Sequence, residues 1–447
     1  MSAERSARSV SETDKVDKVR ALQRVLYRSA KQEPNRRFHA LYDKVARSDI
    51  LWRAWADVAR NQGAPGVDGV TIASIADGGV SGVRAFLDGL AAQLRDKTYR
   101  PRPLRRVHIP KPGRPGVTRP LGIPCVADRV VMTAAKIVLE PIFEADFSPV
   151  SFGFRPKRSA HQALEAIRVS ANRGNDWVLD ADIKACFDEI DHDALIAQVE
   201  RRVVDGEMLK LLRSWLRAGV FEGGLVSDSE AGTPQGSPIS PLLANIALHV
   251  VDVAWAKAAN LGTLVRYADD FVVLTTSRQR AEEARRRITE VLAGLGLRLH
   301  PDKTRIVFLG GGEGGFDFLG FHHRKTPSKF GGRRYLSKWP STRAMASIKA
   351  KVRGHTDRRY ASRDLHYVVA DLNRVLRGWG AYFRYGNSNR KFSAIDAYVH
   401  LQMSKLASVK YATRGRLRVT RFNYGWLTGL GIYRLMGKVR HWGTAHA

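Results

Sequence analysis

Apolar residues recur every three or four positions along several stretches, and this spacing predicts amphipathic helices. One helix carries Val130, Ala134 and Ile137 on a single face. Another is predicted to begin at Ser159, where Gln162 lies at the position that completes a capping box. The central part of the chain therefore contains at least two helices that pack one face on a core.

A further helix is predicted at 281–293, with Ile288 and Leu292 facing inward. Glu282 and Arg286 stand four residues apart on its other face, which predicts an ion pair. Beyond about residue 340 the pattern is mainly helical, whereas residues 1 to about 35 are polar and predict a helical arm or a partly ordered extension.

Other stretches alternate with a period of two, which is typical of strands. Residues 107–109 and 121–123 predict the arms of a hairpin with a basic turn at 111–116. Strands are also expected at 305–309 and 316–321, separated by a glycine-rich turn.

Acidic residues stand out within two of the predicted strands. Residues 177–183 place Asp180 and Asp182 on the same face, because alternate side chains of a strand share a face. Residues 265–274 predict two short strands around an acidic turn, Asp269-Asp270. Aspartate is common in turns for structural reasons, but two adjacent carboxylates repel each other unless a cation offsets them.

If the strand at 177–183 pairs beside the acidic hairpin, Asp182 meets Asp269 and Asp270. Carboxylates that converge in this way suit two hard divalent cations that activate a hydroxyl and bracket a phosphate. The pattern therefore predicts a two-metal phosphoryl-transfer site.

Composition limits the class of protein. The 447 residues allow two or three domains, and 44% hydrophobic with 26% charged residues is typical of a folded chain. Cys125 and Cys186, the two cysteines, exclude a disulfide framework and a multi-cysteine zinc site. No apolar run is long enough to span a membrane and no secretory signal is visible, so a cytoplasmic protein is expected.

The net charge of +31 is unevenly distributed. From Phe321 onward 27 Lys and Arg face 4 Asp and Glu, a net +23, which leaves +8 for the first 320 residues. Aromatic residues are interleaved with these basic residues. Cations neutralise phosphates and rings stack on unpaired bases, so nucleic-acid binding is favoured over a merely solvated basic face.

The sequence Tyr267-Ala268-Asp269-Asp270 resembles the YxDD box of reverse transcriptases. Further blocks resemble, in chain order, those of bacterial group II intron reverse transcriptase/maturases. They lie at 61–70, 109–124, 152–158, 182–188, 233–241, 301–304, 318–321 and 372–385. The resemblance runs from about residue 38 to beyond 400.

This resemblance implies an α+β fold of right-hand polymerase type. After an N-terminal extension at 1–37, fingers and palm with an antiparallel sheet and helices are expected at 38–335. An α-helical thumb/maturase domain X with a short basic C-terminal tail is expected at 336–447. Few cysteines and no His/Asn cluster imply that an HNH endonuclease domain is absent.

The same resemblance implies the roles of particular residues. Asp182, Asp269 and Asp270 are expected to be the catalytic, metal-binding carboxylates, with two Mg²⁺ ions as cofactors and Mn²⁺ as a substitute. Residues expected to bind the incoming nucleotide are Lys111, Arg119, Phe187 and Gln235. Residues expected at the template or primer are Tyr267, Gly236 and Lys303, and those expected to bind RNA are Arg377, Trp379, Tyr382 and Arg384.

Structural alternatives exist for three of these residues: a core phenylalanine for Phe187, a packed hairpin tyrosine for Tyr267 and a surface lysine for Lys303. Asp180 and Asp188 are interpreted as ordinary strand-end carboxylates.

The implied function is RNA-directed DNA synthesis together with splicing of a group II intron. The expected partners are the intron or another structured RNA template, a DNA or RNA primer and dNTPs; no membrane is expected, and a homodimer stays open. Two alternatives remain at this point. One is a domesticated reverse transcriptase in antiviral defence or CRISPR spacer acquisition, and the other is an RNA-binding splicing cofactor in which polymerisation is secondary.

Overall fold

A computed structural model describes residues 2–110, 116, 118–222, 225–227, 232, 236–328, 331–413 and 420–440, with the backbone alone at 2–16, 226, 227 and 259. The α-helices of this part are α1 (Ser2–Gln32), α2 (Tyr42–Val45), α3 (Ser48–Arg60), α4 (Ile72–Ala76), α5 (Gly79–Arg95), α6 (Val126–Glu144), α7 (Ala160–Asn172), α8 (Cys186–Glu189), α9 (His192–Glu200), α10 (Gly206–Leu216), α11 (Ser240–Lys257), α12 (Arg278–Ala293), α13 (Thr342–His355), α14 (Leu365–Phe383), α15 (Asn389–Lys410) and α16 (Tyr424–Gly429).

The strands are β1 (Leu104–Pro110), β2 (Thr118–Ile123), β3 (Trp177–Asp182), β4 (Val220–Glu222), β5 (Leu225–Ser227), β6 (Thr263–Tyr267), β7 (Asp270–Thr275), β8 (Arg305–Phe308), β9 (Gly315–Phe318), β10 (Phe321–Pro327) and β11 (Arg334–Pro340). They form three sheets in the orders β2-β1-β4-β5, β6-β7-β3-β8 and β11-β10-β9. The mixture of sheets and helices confirms the α+β fold class.

The antiparallel sheet β6-β7-β3-β8 lies between two cores. Alternate residues of β3 enter different cores, Leu179 on the side of helices α6, α9 and α11, and Val178 on the side of the C-terminal helices. Because of this alternation Asp180 and Asp182 share the face of Val178. The sheet therefore carries its acidic residues on the side that faces the C-terminal region.

The predicted hairpin is confirmed as β1 and β2, which pair antiparallel from Arg105↔Ile123 to Pro110↔Thr118. Beside it, β1 also pairs in parallel with the short strand β4. The tip of this hairpin lies largely outside the described residues.

Local signals specify several helix starts. The capping box at Ser159 is confirmed, with the side chain accepting from the backbone N–H of Gln162 and the reverse bond also present. The predicted helix at 281–293 starts earlier, at Arg278, because the hydroxyl of Ser277 caps it.

The predicted Glu282/Arg286 ion pair is wrong. Arg286 binds Glu283 and Glu290 instead, and Glu282 binds Arg278. All these pairs have spacings of three or four residues, so the helix offered each cation several partners at similar distance.

The strands β10 and β11 were not expected, because polar and basic residues interrupt the apolar alternation on both faces. They pair over seven residues, from Phe321↔Pro340 to Pro327↔Arg334. The predicted domain boundary at 335/336 falls within β11. From α13 onward the described residues are mainly helical, as predicted.

Within the described ranges, no helix combines the length and the apolar content needed to cross a membrane.

Candidate active site

The acidic hairpin is formed by β6 and β7, and its turn differs by one residue from the prediction. The two turn residues are Ala268 and Asp269, whereas Asp270 is the first residue of β7 and pairs with Tyr267. Ala268 has a φ of 56°, the left-handed conformation that tight hairpin turns require. The turn therefore presents Asp269 at its tip and Asp270 on the strand.

Strand β3 pairs directly with β7, and the register places Asp182 opposite Asp270. The predicted pairing of the strand with the acidic hairpin is thereby confirmed. Opposite residues in an antiparallel pair have Cβ atoms about 4.5–5.5 Å apart, so these two carboxyl groups are close neighbours. Asp180 lies one pair further along, opposite Val272.

These carboxyl groups influence one another's ionisation. Partial loss of hydration, followed by the charges of Asp269, Asp182 and Asp180, raises the pKa of Asp270 to about 7. Desolvation raises the pKa of Asp269 as well, with Asp182 adding to the rise and Arg119 opposing it. The site is therefore electrostatically unfavourable when every carboxyl group is ionised and no cation is near.

Two basic side chains from the segment around β8 partly offset this charge. The Nζ of Lys303 forms an ion pair with Oδ2 of Asp182. Arg305 Nε lies 3.1 Å from Oδ2 of Asp180, but desolvation still raises the pKa of that carboxyl group. Lys303, predicted near the template or primer, thus lies at a metal-binding candidate.

Asp180, Asp182 and Asp270 line an open cleft of about 710 Å³ between the sheet and the C-terminal region. The cleft is lined by residues of β3, the β1–β2 hairpin, the β9–β10 turn and the start of α13. They include Arg119, Asp180, Asp182, Asp270, Lys303, Arg305, Asp317, Leu319, Ser341 and Arg343. Its size and its mixed charge suit a polyanionic substrate accompanied by cations.

No three His, Cys, Asp or Glu side chains of the described residues are grouped closely enough to qualify as a metal site. The ion pair with Lys303 directs one carboxylate oxygen of Asp182, Oδ2, toward the lysine amine. Nevertheless Asp182, Asp269 and Asp270 are hard oxygen donors whose mutual repulsion a divalent cation would relieve, so the donor set fits such an ion chemically.

Two predicted nucleotide-binding residues, Lys111 and Gln235, lie outside the described residues. Arg119 is exposed on β2 and borders the cleft. Phe187 is partly buried against the main core, and Gly232, which precedes the block at 233–241, lies close to its carbonyl oxygen. The ring of Phe187 thus packs on the core, while its backbone carbonyl lies against Gly232.

Gly236 has a φ of 108°, and a Cβ there would lie 2.7 Å from the carbonyl oxygen of Gly122. This glycine allows the segment to pass close to β2. The ring of Tyr267 lies 6.3 Å from that of Phe154, centroid to centroid.

The four predicted RNA-binding residues lie on or just after α14, where they contact other protein groups. Tyr382 donates a hydrogen bond of 2.9 Å to the carbonyl of Leu319, and Trp379 packs 4.8 Å from Phe383. Arg377 is exposed, with its Cζ 5.4 Å from the centre of the Tyr433 ring, and Arg384 donates to the hydroxyl of Tyr385. Several aromatic residues of the basic region thus pack in its core.

Sequence reasoning missed the residues beneath the acidic turn. Arg266 and Asp252 form a buried ion pair there, Asn245 forms hydrogen bonds with Arg266 and Gly153, and Gly153 closely approaches Ala268 of the turn. One signal was available, since Arg266 is a charged residue inside an otherwise apolar strand. A buried arginine in such a position requires a carboxylate partner.

Two family models match the chain. Residues 109–323 match the reverse transcriptase (RNA-dependent DNA polymerase) model, and residues 345–424 match the model for the group II intron maturase-specific domain. The first match contains the acidic hairpin and β3, and the second contains most of α13, α14 and α15.

Among curated proteins, YkfC of Escherichia coli is 33% identical over 366 residues, which cover 73% of this chain and 93% of that protein. The group II intron-encoded protein LtrA of Lactococcus lactis is 39% identical over 216 residues, 48% of this chain and 35% of LtrA. Among solved structures, telomerase from Candida albicans matches with 13% identity and a TM-score of 0.42, over 73% of this chain and 63% of the telomerase chain.

Proposed function

The chain belongs to the family of group II intron-encoded reverse transcriptases with a maturase domain, and on this premise we propose that Asp182, Asp269 and Asp270 are its polymerase centre. The family identifies an RNA-directed DNA polymerase. The observation that carries the assignment is the register of the sheet, in which Asp182 lies opposite Asp270 and beside the turn that bears Asp269.

Reverse transcriptases use divalent metal ions, and we propose Mg²⁺ with Mn²⁺ as a substitute. Two such ions, held by the three carboxylates, would lower the pKa of the primer 3′-hydroxyl and neutralise charge on the phosphate. The primer oxygen then forms a bond to the α-phosphorus of a dNTP, and pyrophosphate leaves.

The protein's own groups bind and orient the substrates in this proposal. Arg119, exposed on β2 at the border of the cleft, offsets charge on the triphosphate. Phe187 excludes a 2′-hydroxyl with its ring and so favours dNTPs. Tyr267 supports the primer terminus at the end of β6, and Lys303 moves from Asp182 to a phosphate when substrate binds. Lys111 and Gln235 are proposed for the same nucleotide pocket.

Primer extension on an RNA template tests the assignment. Replacing Asp269 and Asp270 together by Asn should abolish extension and leave RNA affinity within about twofold, because the basic surface is unchanged. Asp317→Asn is the matched control, since this carboxylate borders the same cleft but pairs with His322. Extension by the double variant at the wild-type rate would overturn the assignment.

We also propose that the region from α13 onward binds structured intron RNA and supports splicing. The net +23 from Phe321 onward supports this role, as do exposed residues such as Tyr367, which is 68% exposed, and Arg377. Arg384 and the partly buried Trp379 and Tyr382 are proposed for the same surface. An intron role is proposed over a defence role because the maturase domain is present.

Splicing of a group II intron RNA separates the two roles. The variant with Asn at Asp269 and Asp270 should still promote splicing, whereas replacing Arg374 and Arg377 of α14 by Glu should impair it. The matched control replaces Arg285 and Arg287 of α12 by Glu, which makes the same charge change outside the maturase domain. Equal splicing by all three variants would contradict the proposal.

A further inference from the structure

Arg266, the residue that precedes Tyr267, is only 1% exposed although it is charged. Its guanidinium makes a two-pronged contact with Asp252 of α11, with Nε 2.8 Å from Oδ1 and Nη2 2.5 Å from Oδ2. Asp252 is equally buried. Burial alone would raise the pKa of its carboxyl group, but the charge and hydrogen bonds of Arg266 outweigh burial and keep that pKa below its usual range. Asp252 therefore carries its negative charge in the interior, opposite the guanidinium.

The third nitrogen of the same guanidinium reaches the acidic turn itself. Nη1 donates to the carbonyl oxygen of Ala268 at 3.0 Å and to Oδ1 of Asn245 at 3.1 Å. Ala268 is the turn residue with positive φ, directly before Asp269. One side chain thus joins helix α11 to the backbone that presents the carboxylates.

The turn is also held from its other side. The amide of Asn245 donates to the carbonyl of Gly153 at 2.9 Å. A Cβ on Gly153 would lie 2.4 Å from the backbone nitrogen of Ala268, closer than real Cβ atoms approach. The segment before Gly153 pairs with β6, since Arg266 N–H donates to Val150 O and Phe152 N–H donates to Arg266 O.

Stability alone does not favour this arrangement of a strained turn above a buried ion pair. An alanine disfavours the left-handed conformation, and a buried ion pair contributes no more stability than apolar residues of similar volume. Alternatives such as leucine and methionine would fill the space without a charge. What they would not provide is a rigid donor to the carbonyl of Ala268.

We propose that Arg266, Asp252 and Asn245 are positioning residues for DNA synthesis, which fix the Ala268–Asp269 turn so that Asp269 and Asp270 keep their relation to Asp182. This inference rests on the proposed polymerase centre. The residues touch no substrate. They act through the turn, and their loss displaces the carboxylates without removing them.

Arg266→Lys is the principal variant, because lysine keeps the charge but cannot contact Asp252, Asn245 and Ala268 together. The matched control is Arg202→Lys, which alters an arginine that is 4% exposed and pairs with Asp146 rather than with Asp252, Asn245 or Ala268. Groups that orient metal ligands typically contribute about 10–100-fold to metal affinity or activity. We expect Arg266→Lys to lower kcat of primer extension by that factor, with KM for dNTP within about twofold, and Arg202→Lys to leave both unchanged.

Binding of Mn²⁺ alone, followed by electron paramagnetic resonance, provides a readout independent of turnover. Arg266→Lys should weaken Mn²⁺ binding and Arg202→Lys should not. If Arg266→Lys does not fold, Asn245→Ala decides, since it retains the ion pair and loses one contact to the guanidinium. A lower kcat with normal melting temperature supports the proposal. Wild-type kcat and Mn²⁺ affinity in the folded variants overturn it.

The combined variant Arg266→Lys with Asp252→Asn adds a test of whether the residues act as one unit. Its kcat should be no lower than that of the worse single variant, because the contact is already lost. Multiplied losses would contradict a shared role. Absence of primer extension by the wild-type protein would overturn the polymerase centre instead, so the two failures are distinguishable.

Discussion

Two ion pairs flank the acidic turn, and they differ in their access to water. Beneath the turn, the side chains of Arg266 and Asp252 are 1% and 0% exposed, whereas in the cleft those of Lys303 and Asp182 are 46% and 20% exposed. The buried cation has several fixed acceptors, whereas the exposed one has a flexible side chain and a single carboxylate partner.

This difference assigns separate roles to the two cations. A buried arginine cannot leave its carboxylate without a large cost, so it holds the backbone permanently. An exposed lysine exchanges its carboxylate for water or another anion at little cost. We infer that Lys303 occupies Asp182 until a divalent ion and a phosphate replace the pair. Replacing the cation of each pair separately tests this comparison.

The largest expected difference concerns stability. Arg266→Ala leaves the buried Asp252 without its arginine partner and should lower the free energy of unfolding by about 3–5 kcal/mol. Lys303→Ala should change it by less than about 1 kcal/mol. Urea unfolding followed by tryptophan fluorescence measures both values. Equal losses for the two variants would show that burial does not distinguish the pairs.

The close approach of Gly153 to the turn gives the next effect. Gly153→Ala should lower kcat of extension by about 100-fold, because the added methyl group forces the backbone of Ala268 to move. Gly89→Ala is the control, since a Cβ on Gly89 meets no atom within 4 Å. Gly89 lies in helix α5, where alanine in place of glycine adds about 0.5–1 kcal/mol of stability. Normal extension by Gly153→Ala would mean that the turn tolerates displacement.

The pKa of Asp270, about 7 in the folded metal-free protein, predicts a pH dependence. An unfolded aspartate has a pKa of about 3.9, so between these values the folded state holds a proton that the unfolded state has lost, and stability falls as pH rises. Asp270→Asn removes this loss. Its melting temperature, measured without metal, should exceed that of the wild type by an amount that grows from pH 4 to about pH 7 and stays constant above it.

The same titration affects metal binding. Because a ligand must be deprotonated, Mn²⁺ affinity of the wild type should rise by up to about tenfold per pH unit below pH 7 and level off above it. A difference in melting temperature that stays constant between pH 4 and about pH 7, or a flat Mn²⁺ affinity, would contradict the raised pKa.

The smallest effect concerns the exposed pair. Lys303→Ala should increase Mn²⁺ affinity by up to about fivefold, because it removes a cation that competes for Asp182. Arg305→Ala, whose arginine pairs with Asp180, should change this affinity by less than twofold. Weaker Mn²⁺ binding by Lys303→Ala would show that the lysine orients Asp182 for the metal.

Much of this site was predictable from the sequence because its signals are local. Alternation over 177–183 indicated β3 and the shared face of Asp180 and Asp182, and apolar residues around Asp269-Asp270 indicated the hairpin. The turn was misplaced by one residue because the positive φ of Ala268 depends on contacts from Arg266 and Gly153. The approach of Gly153 joins segments that are distant in the sequence, and local patterns do not reveal it.

The same reason explains the other omissions. Asp252 lies on α11, whereas its partner Arg266 lies on β6. The hydrophobic pattern of one element does not identify an ion-pair partner on another. The roles of the exposed cations depend on geometry in the cleft, where Lys303 contacts Asp182 across 121 residues of sequence. Even β10 and β11 escaped prediction because their polar residues mask the alternation.

Anomalous diffraction from crystals soaked in Mn²⁺ tests the exchange of cations most directly. We predict Mn²⁺ bound by Asp182, Asp269 and Asp270, with Nζ of Lys303 displaced from Asp182 and the Arg266–Asp252 pair unchanged. Mn²⁺ bound elsewhere, or Lys303 still paired with Asp182 beside a bound ion, would contradict it.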